Sequence, residues 1–169
     1  MQKRPYGTTG IDLSIIGFGG ILVTNTEAAE ASRLVARAVD HGINYFDVAP
    51  SYGNAEECLG PALEPYRNDV FLACKTTERS RQGAEREMLQ SLENMRSQHF
   101  DLYQLHAMTT QEDFDSATAP DGALPFLIEA REKGLIRHIG FSAHSSEIAV
   151  QLLDYFAFDS VLFPLNWTH

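Results

Sequence analysis

The residues best able to do chemistry in this chain are an acid, a phenol, a lysine and a histidine: Asp47 and Tyr52 in NYFDVAPSYG, Lys75 in VFLACKTT and His106 in LYQLHAM. A phenol, with an ordinary pKa of about 10, is a poor acid at neutral pH, but a neighbouring ammonium favours loss of its proton. Tyr52 beside Lys75 is therefore expected to act as a proton donor. A lysine emerging from VFLAC is costly to bury without a charged partner, and Asp47 is the candidate. His106 is placed to orient a carbonyl oxygen or to assist proton transfer. The set contains neither a nucleophile with an activating base nor a metal-ligand cluster, so it suits protonation of an oxygen that is receiving a hydride. Taken singly, Asp47 and His106 also have ordinary explanations, as a turn or capping aspartate and a hydrogen-bonded core histidine, whereas Lys75 is harder to dismiss.

These residues need elements that bring them together. RPYGTTGIDLSIIGFGG reads as a hairpin turning at Gly7 to Gly10, then a strand over Ile15 to Gly20. TNTEAAEASRLVARAVDHG opens with a capping-box spacing at Thr24 and Glu27, keeps helical periodicity and stops at Gly42. Strand and helix then alternate: NYFDVAP, a helix near Asn54 to Tyr66, DVFLACKTT, an amphipathic segment from Gln82 to Gln98, and DLYQLHAM. Thr109 to Gly122 reads as a solvated acidic loop over the site. A helix ending at Gly134, the strand HIGFSAH, a helix capped by Ser145 or Ser146 and a last strand SVLFPLN complete the chain. Alternation of about six strands with helices implies one α/β unit with a parallel sheet, doubly wound or curled as a barrel. Asp47, Lys75, His106 and Ser142 all fall at the C-terminal ends of successive strands, the face on which barrel active sites lie.

The 169 residues carry a formal net charge of -10, which argues against a nucleic-acid or anionic-membrane partner and for a small molecule. The two cysteines, Cys58 and Cys74, form no CxxC pair, and no run of about 20 apolar residues offers a membrane span. A soluble cytoplasmic protein is expected.

FDVAPSYG with Asp47 and Tyr52, ACKTT with Lys75 and LYQLHAM with His106 resemble, in order and on successive strands, the catalytic tetrad of the aldo-keto reductases. The resemblance covers the whole chain and extends to the N-terminal hairpin, which is similar to the one that plugs the bottom of that family's barrel. It implies reduction of an aldehyde or ketone, with hydride from NADPH, or NADH as the alternative, and the proton from Tyr52. It further implies cofactor contacts at Gly19 and Gly20 in GFGG, at Asp47, at Ser142 in GFSAH and at Asn166. GFGG is not a Rossmann fingerprint, because Leu22 stands where the third glycine belongs. Two positions depart from the family pattern. Ala143 replaces an asparagine and Leu162 a glutamine that contact the nicotinamide amide, and Asn166 is the nearby substitute. His144 and Trp167 are candidates for lining the pocket or for packing roles.

A complete (β/α)8 barrel needs about 250 residues, and this sequence covers about six of its strand-helix units as a single domain over residues 1–169. The expected fold is therefore an incomplete TIM barrel with an N-terminal β-hairpin, truncated before the units that hold most of the cofactor, with sheet edges open to self-association. Three explanations stand: part of a longer enzyme, a natural truncation that pairs its edges with another copy, or an inactive barrel remnant serving as a binding or regulatory module. Within enzymology the rival is a Schiff-base lyase using Lys75.

Overall fold

Apolar runs with β-branched and aromatic residues form the strands, and amphipathic stretches between them cover one side of the resulting sheet. The computed structural model describes residues 1–165. An antiparallel hairpin of β1 (Lys3–Pro5) and β2 (Asp12–Ser14) comes first. It is followed by six parallel strands: β3 (Phe18–Gly19), β4 (Tyr45–Asp47), β5 (Phe71–Thr76), β6 (Phe100–Met108), β7 (Ile136–Ala143) and β8 (Ser160–Leu162). Their spatial order follows chain order without reversal. A doubly wound sheet reverses at a switch point, so this topology is that of a curled, singly wound half-barrel.

The helices are α1 (Ala28–Asp40), α2 (Ala55–Leu63), α3 (Arg81–Asn94), α4 (Gln111–Thr118), α5 (Ala123–Glu132) and α6 (Ser146–Tyr155). They bury the outer face of the sheet, where Phe46, Leu72, Cys74, Tyr103, Leu105, Ile139 and Phe141 meet Val35, Leu59, Met88, Leu127 and Leu152. The inner face is the barrel interior. There Phe71, Ala73 and Leu102 pack against Tyr6, Ile11 and Leu13 of the hairpin and against Tyr45, so the hairpin closes the end opposite the strand C-termini. None of the described helices is long and apolar enough to cross a membrane.

Four local expectations are corrected. The strand predicted over Ile15 to Gly20 shrinks to Phe18–Gly19, because the chain turns at Ser14, whose hydroxyl donates to the Ile16 carbonyl at 2.7 Å, and leaves Ile15 and Ile16 exposed. Thr24 and Glu27 form no capping box. A 3-10 turn over Gly20–Val23 precedes α1, whose N-cap Glu27 makes no side-chain cap. The segment Thr109 to Gly122 is not a solvated loop but contains α4, and it holds the genuine capping box: Thr110 accepts from the Asp113 amide, and Asp113 accepts from the Thr110 amide. Helix α3 also ends four residues early, where Arg96 takes up φ +50°.

Candidate active site

Register explains why Asp47 and Lys75 meet. Asp47 pairs with Ala73 across β4 and β5, and Lys75, two residues on, projects from the same face of β5. Lys75 is completely buried. Its Nζ forms an ion pair with Asp47 Oδ1 and donates to the Val48 carbonyl at 3.3 Å and to the Tyr52 phenolic oxygen at 3.2 Å. Because lysine supplies the hydrogen in that last contact, the phenol keeps its own hydrogen to offer elsewhere. Burial is the larger influence on Asp47 and, despite the attraction of Lys75, holds its carboxyl above the ordinary carboxylate range. Asp47 Oδ2 is buried with no hydrogen-bond partner among the described residues.

Tyr52 lies in the turn between β4 and α2. Its amide donates to the Ala49 carbonyl at 3.0 Å, and its own carbonyl accepts from the Ala55 amide at 3.2 Å and the Thr24 hydroxyl at 3.1 Å. The next residue, Gly53, sits at φ +62°, the left-handed region where glycine carries no Cβ penalty. Thr24, expected to cap α1, thus fixes the tyrosine turn instead.

His106 comes up from β6 with its ring edge-on to that of Tyr52, centroids 6.2 Å apart. Burial first, then the charges of Lys75 and Arg79 and the nearby His144, lower its pKa to about 4, so the imidazole is neutral at neutral pH. Its Nδ1 lies 2.9 Å from the hydroxyl oxygen of Ser142, which also accepts the Ala107 amide at 2.8 Å.

The four sequence-predicted chemical residues are thus brought together, and Ser142 joins them through the histidine. Gly19 lies at the same mouth, where a Cβ would meet nothing closer than Ile21 at 3.9 Å. Gly20 has a packing reason of its own, since a Cβ there would fall 2.9 Å from Val48 Cγ2 and 3.0 Å from the Asp47 carbonyl. His144 is exposed at the end of β7, and Leu162 ends β8 half exposed. Asn166 and Trp167 lie outside the described residues. Sequence reasoning missed Arg79 and Asp113. Arg79 donates to the His106 carbonyl at 2.8 Å and to Asp113 at 2.9 Å. Their only sequence signals were an arginine just beyond a strand end and a Thr-x-x-Asp cap spacing in an acidic stretch.

A buried acid-lysine pair touching a phenol, with a neutral imidazole across from it, can deliver one proton to an oxygen and stabilise the charge left behind. The sequence model of the Aldo/keto reductase family matches residues 15–166. The chain is 31% identical over 157 residues to the uncharacterized oxidoreductase YqkF of Bacillus subtilis, covering 85% of this chain and 49% of that protein. It is 30% identical over 172 residues to the aldo-keto reductase YhdN of the same species, covering 87% and 48%. Among solved structures, a putative aldo-keto reductase of Pseudomonas aeruginosa matches with a TM-score of 0.86 at 27% identity, over 99% of this chain and 68% of that one. The holo form of an aldo-keto reductase of Bacillus halodurans matches with a TM-score of 0.84 at 27% identity, over 98% and 58%. The chain spans about half the length of the curated relatives it matches. On the family match over nearly its whole length, and on a sheet that superposes on solved members, the chain belongs to the aldo/keto reductase family.

Proposed function

We propose that this chain carries the proton-delivery half of an NAD(P)H-dependent aldehyde or ketone reductase. The observation that carries the reading is the Lys75 Nζ contact to the Tyr52 oxygen at 3.2 Å, made while the same Nζ is ion-paired with Asp47. Tyr52 gives its phenolic proton to the carbonyl oxygen as that oxygen gains negative charge. Lys75 then stabilises the phenolate oxygen, and Asp47 fixes where Lys75 points. His106, neutral and with Ser142 donating to Nδ1, carries its hydrogen on Nε2 and uses it to hold the carbonyl oxygen.

The residues present fit the nicotinamide end of the cofactor. Asp47 Oδ2, buried without a partner among the described residues, is an acceptor that a sugar hydroxyl satisfies, and the open space at Gly19 leaves room beside it. Ser142 is the side chain for the carboxamide. A reduced nicotinamide, when bound, supplies the hydride, NADPH being the expected form and NADH the alternative. A Schiff-base lyase fits less well, since Lys75 is fully buried and already holds three partners.

The test is reduction of a panel of small aldehydes and ketones by NADPH or NADH, followed by loss of nicotinamide absorbance, with borohydride trapping alongside. Turnover without a trapped adduct supports the reductase. A borohydride-stable adduct at Lys75 moves the chain to the lyase class, and absence of both in a preparation shown to bind the cofactor leaves a binding module.

A further inference from the structure

Strand β6 bulges where it delivers His106. Leu105 pairs with Phe141 and Met108 with Ala143, so three steps along β6 face two along β7. One extra residue of this kind bends a strand and re-aims a side chain. Within the bulge Ala107 adopts φ +53°, a left-handed conformation that is strained for a residue with a Cβ. Such a conformation persists only where its surroundings over-determine it.

From one side it is held by Ser142, which accepts the Ala107 amide. From the other it is held by Arg79, in the loop after β5. The Arg79 Nη2 donates to the His106 carbonyl at 2.8 Å and to the Ala107 carbonyl at 3.3 Å, and Nη1 donates to the Thr77 carbonyl at 3.1 Å. Its Nε donates to Asp113 Oδ1 at 2.9 Å. Asp113 is itself fixed, for Oδ2 accepts from the amides and hydroxyls of both Thr109 and Thr110. Burial opposes ionisation of this carboxyl, but the hydrogen bonds from Arg79, Thr110 and Thr109 outweigh it and hold its pKa well below the ordinary range. One guanidinium therefore ties the bulge, the β5 loop and the first turn of α4 together. Only a planar fork with five donors can reach all of these acceptors, and a lysine cannot.

We propose that Arg79 is a positioning residue for carbonyl reduction, fixing through the His106 and Ala107 carbonyls the bulge that aims the His106 imidazole at the substrate oxygen. Its effect on turnover rests on the reductase reading above; its effect on the ring does not.

The test therefore reads the ring directly, by nitrogen-15 NMR of the His106 side chain in the chain and in its Arg79→Lys, Arg79→Met and Arg86→Met variants. Arg86 lies on the exposed face of α3, where its ion pair is with Glu78, so its variant removes a charge without touching the bulge. In the unaltered chain one tautomer of His106 is expected. Arg79→Lys keeps the charge and loses the fork, so it should mix tautomers and broaden the ring signals, as should Arg79→Met, while Arg86→Met matches the unaltered chain. If Arg79→Met fails to fold, Arg79→Lys decides. Ring signals in Arg79→Lys that coincide with those of the unaltered chain overturn the proposal, and so does an equal shift in Arg86→Met, which would make the effect one of net charge. In the turnover assay, kcat should fall about tenfold or more in Arg79→Lys, since misplacement by 1 Å can cost about 100-fold, with the KM for the cofactor unmoved. An unaltered chain that binds the cofactor and reduces no carbonyl defeats the reductase reading alone, and the ring signals still decide the role of Arg79.

Discussion

The hydroxyl oxygen of Ser142 sits 2.9 Å from His106 Nδ1 and 2.8 Å from the Ala107 amide nitrogen, so one side chain of β7 secures both the catalytic candidate and the bulge behind it. Family resemblance assigns this serine to the cofactor amide, and the geometry gives it a second task. Ser142→Ala should therefore act even without cofactor. It strands the part-buried Ala107 amide and frees the imidazole, and loss of such a hydrogen bond costs about 0.5–1.5 kcal/mol. Urea denaturation of the chain, followed by circular dichroism, is expected to show a loss of that size. An unchanged midpoint would confine Ser142 to the cofactor.

Tyr52→Phe removes a single oxygen whose described partner is Lys75, while the ring keeps its place against the core. Stability should change by no more than about 1 kcal/mol. Carbonyl reduction should fall by about 100-fold or more, the usual scale for a lost general acid, with cofactor affinity nearly intact. Turnover retained at neutral pH would remove Tyr52 from the role of acid.

The buried ion pair sets the energetic stakes of the site. Lys75→Met leaves Asp47, already unsatisfied at Oδ2, without its counter-charge, and breaking such a pair from one side costs about 3–5 kcal/mol. Asp47→Asn combined with Lys75→Met removes both charges and should recover much of that loss without restoring activity. A double-mutant cycle in urea measures this. If the double variant is as unstable as the sum of the single ones, the two residues are not coupled as a pair.

Much of this was legible in the sequence, for identifiable reasons. The strands of the sheet announce themselves because strands buried on both faces read as continuous apolar runs, as in VFLAC and the β6 segment. The charged residues at their ends stand out against those runs, which is why Asp47, Lys75 and His106 could be singled out before any contact was known. Other features were illegible because they depend on what arrives from elsewhere. Thr24 has a cap-like spacing to Glu27, but its hydroxyl is taken by the Tyr52 carbonyl, 28 residues on. The acidic stretch after β6 looks like solvated loop until Arg79, 34 residues before Asp113, turns its first turn into an anchor. The bulge at Ala107 leaves no composition signal, since alanine carries no mark of a positive φ.

His106 gives the site a pH signature with a definite sign. Its pKa is lowered from 6.5 to about 4 in the folded chain, by burial first and by Lys75 and Arg79 next. Between those values the unfolded chain binds more protons than the folded one, so stability rises with pH across the window and is lost as pH falls from about 6.5 towards 4. Asp47 opposes this, because its raised folded value makes stability fall as pH rises from the ordinary carboxylate range. His99, whose pKa is lowered by burial and by Arg67 and Arg137, adds to the histidine slope. Replacing His106 by Gln should therefore flatten the slope between pH 4 and 6.5 without abolishing it, whereas Asp47→Asn should steepen it. Urea midpoints measured across that range for the three proteins separate the contributions, and a side-chain NMR titration of His106 should give a midpoint near pH 4. A midpoint near 6.5 would mean that burial and the charges of Lys75 and Arg79 act on the imidazole far less than its place beside Tyr52 and Ser142 implies.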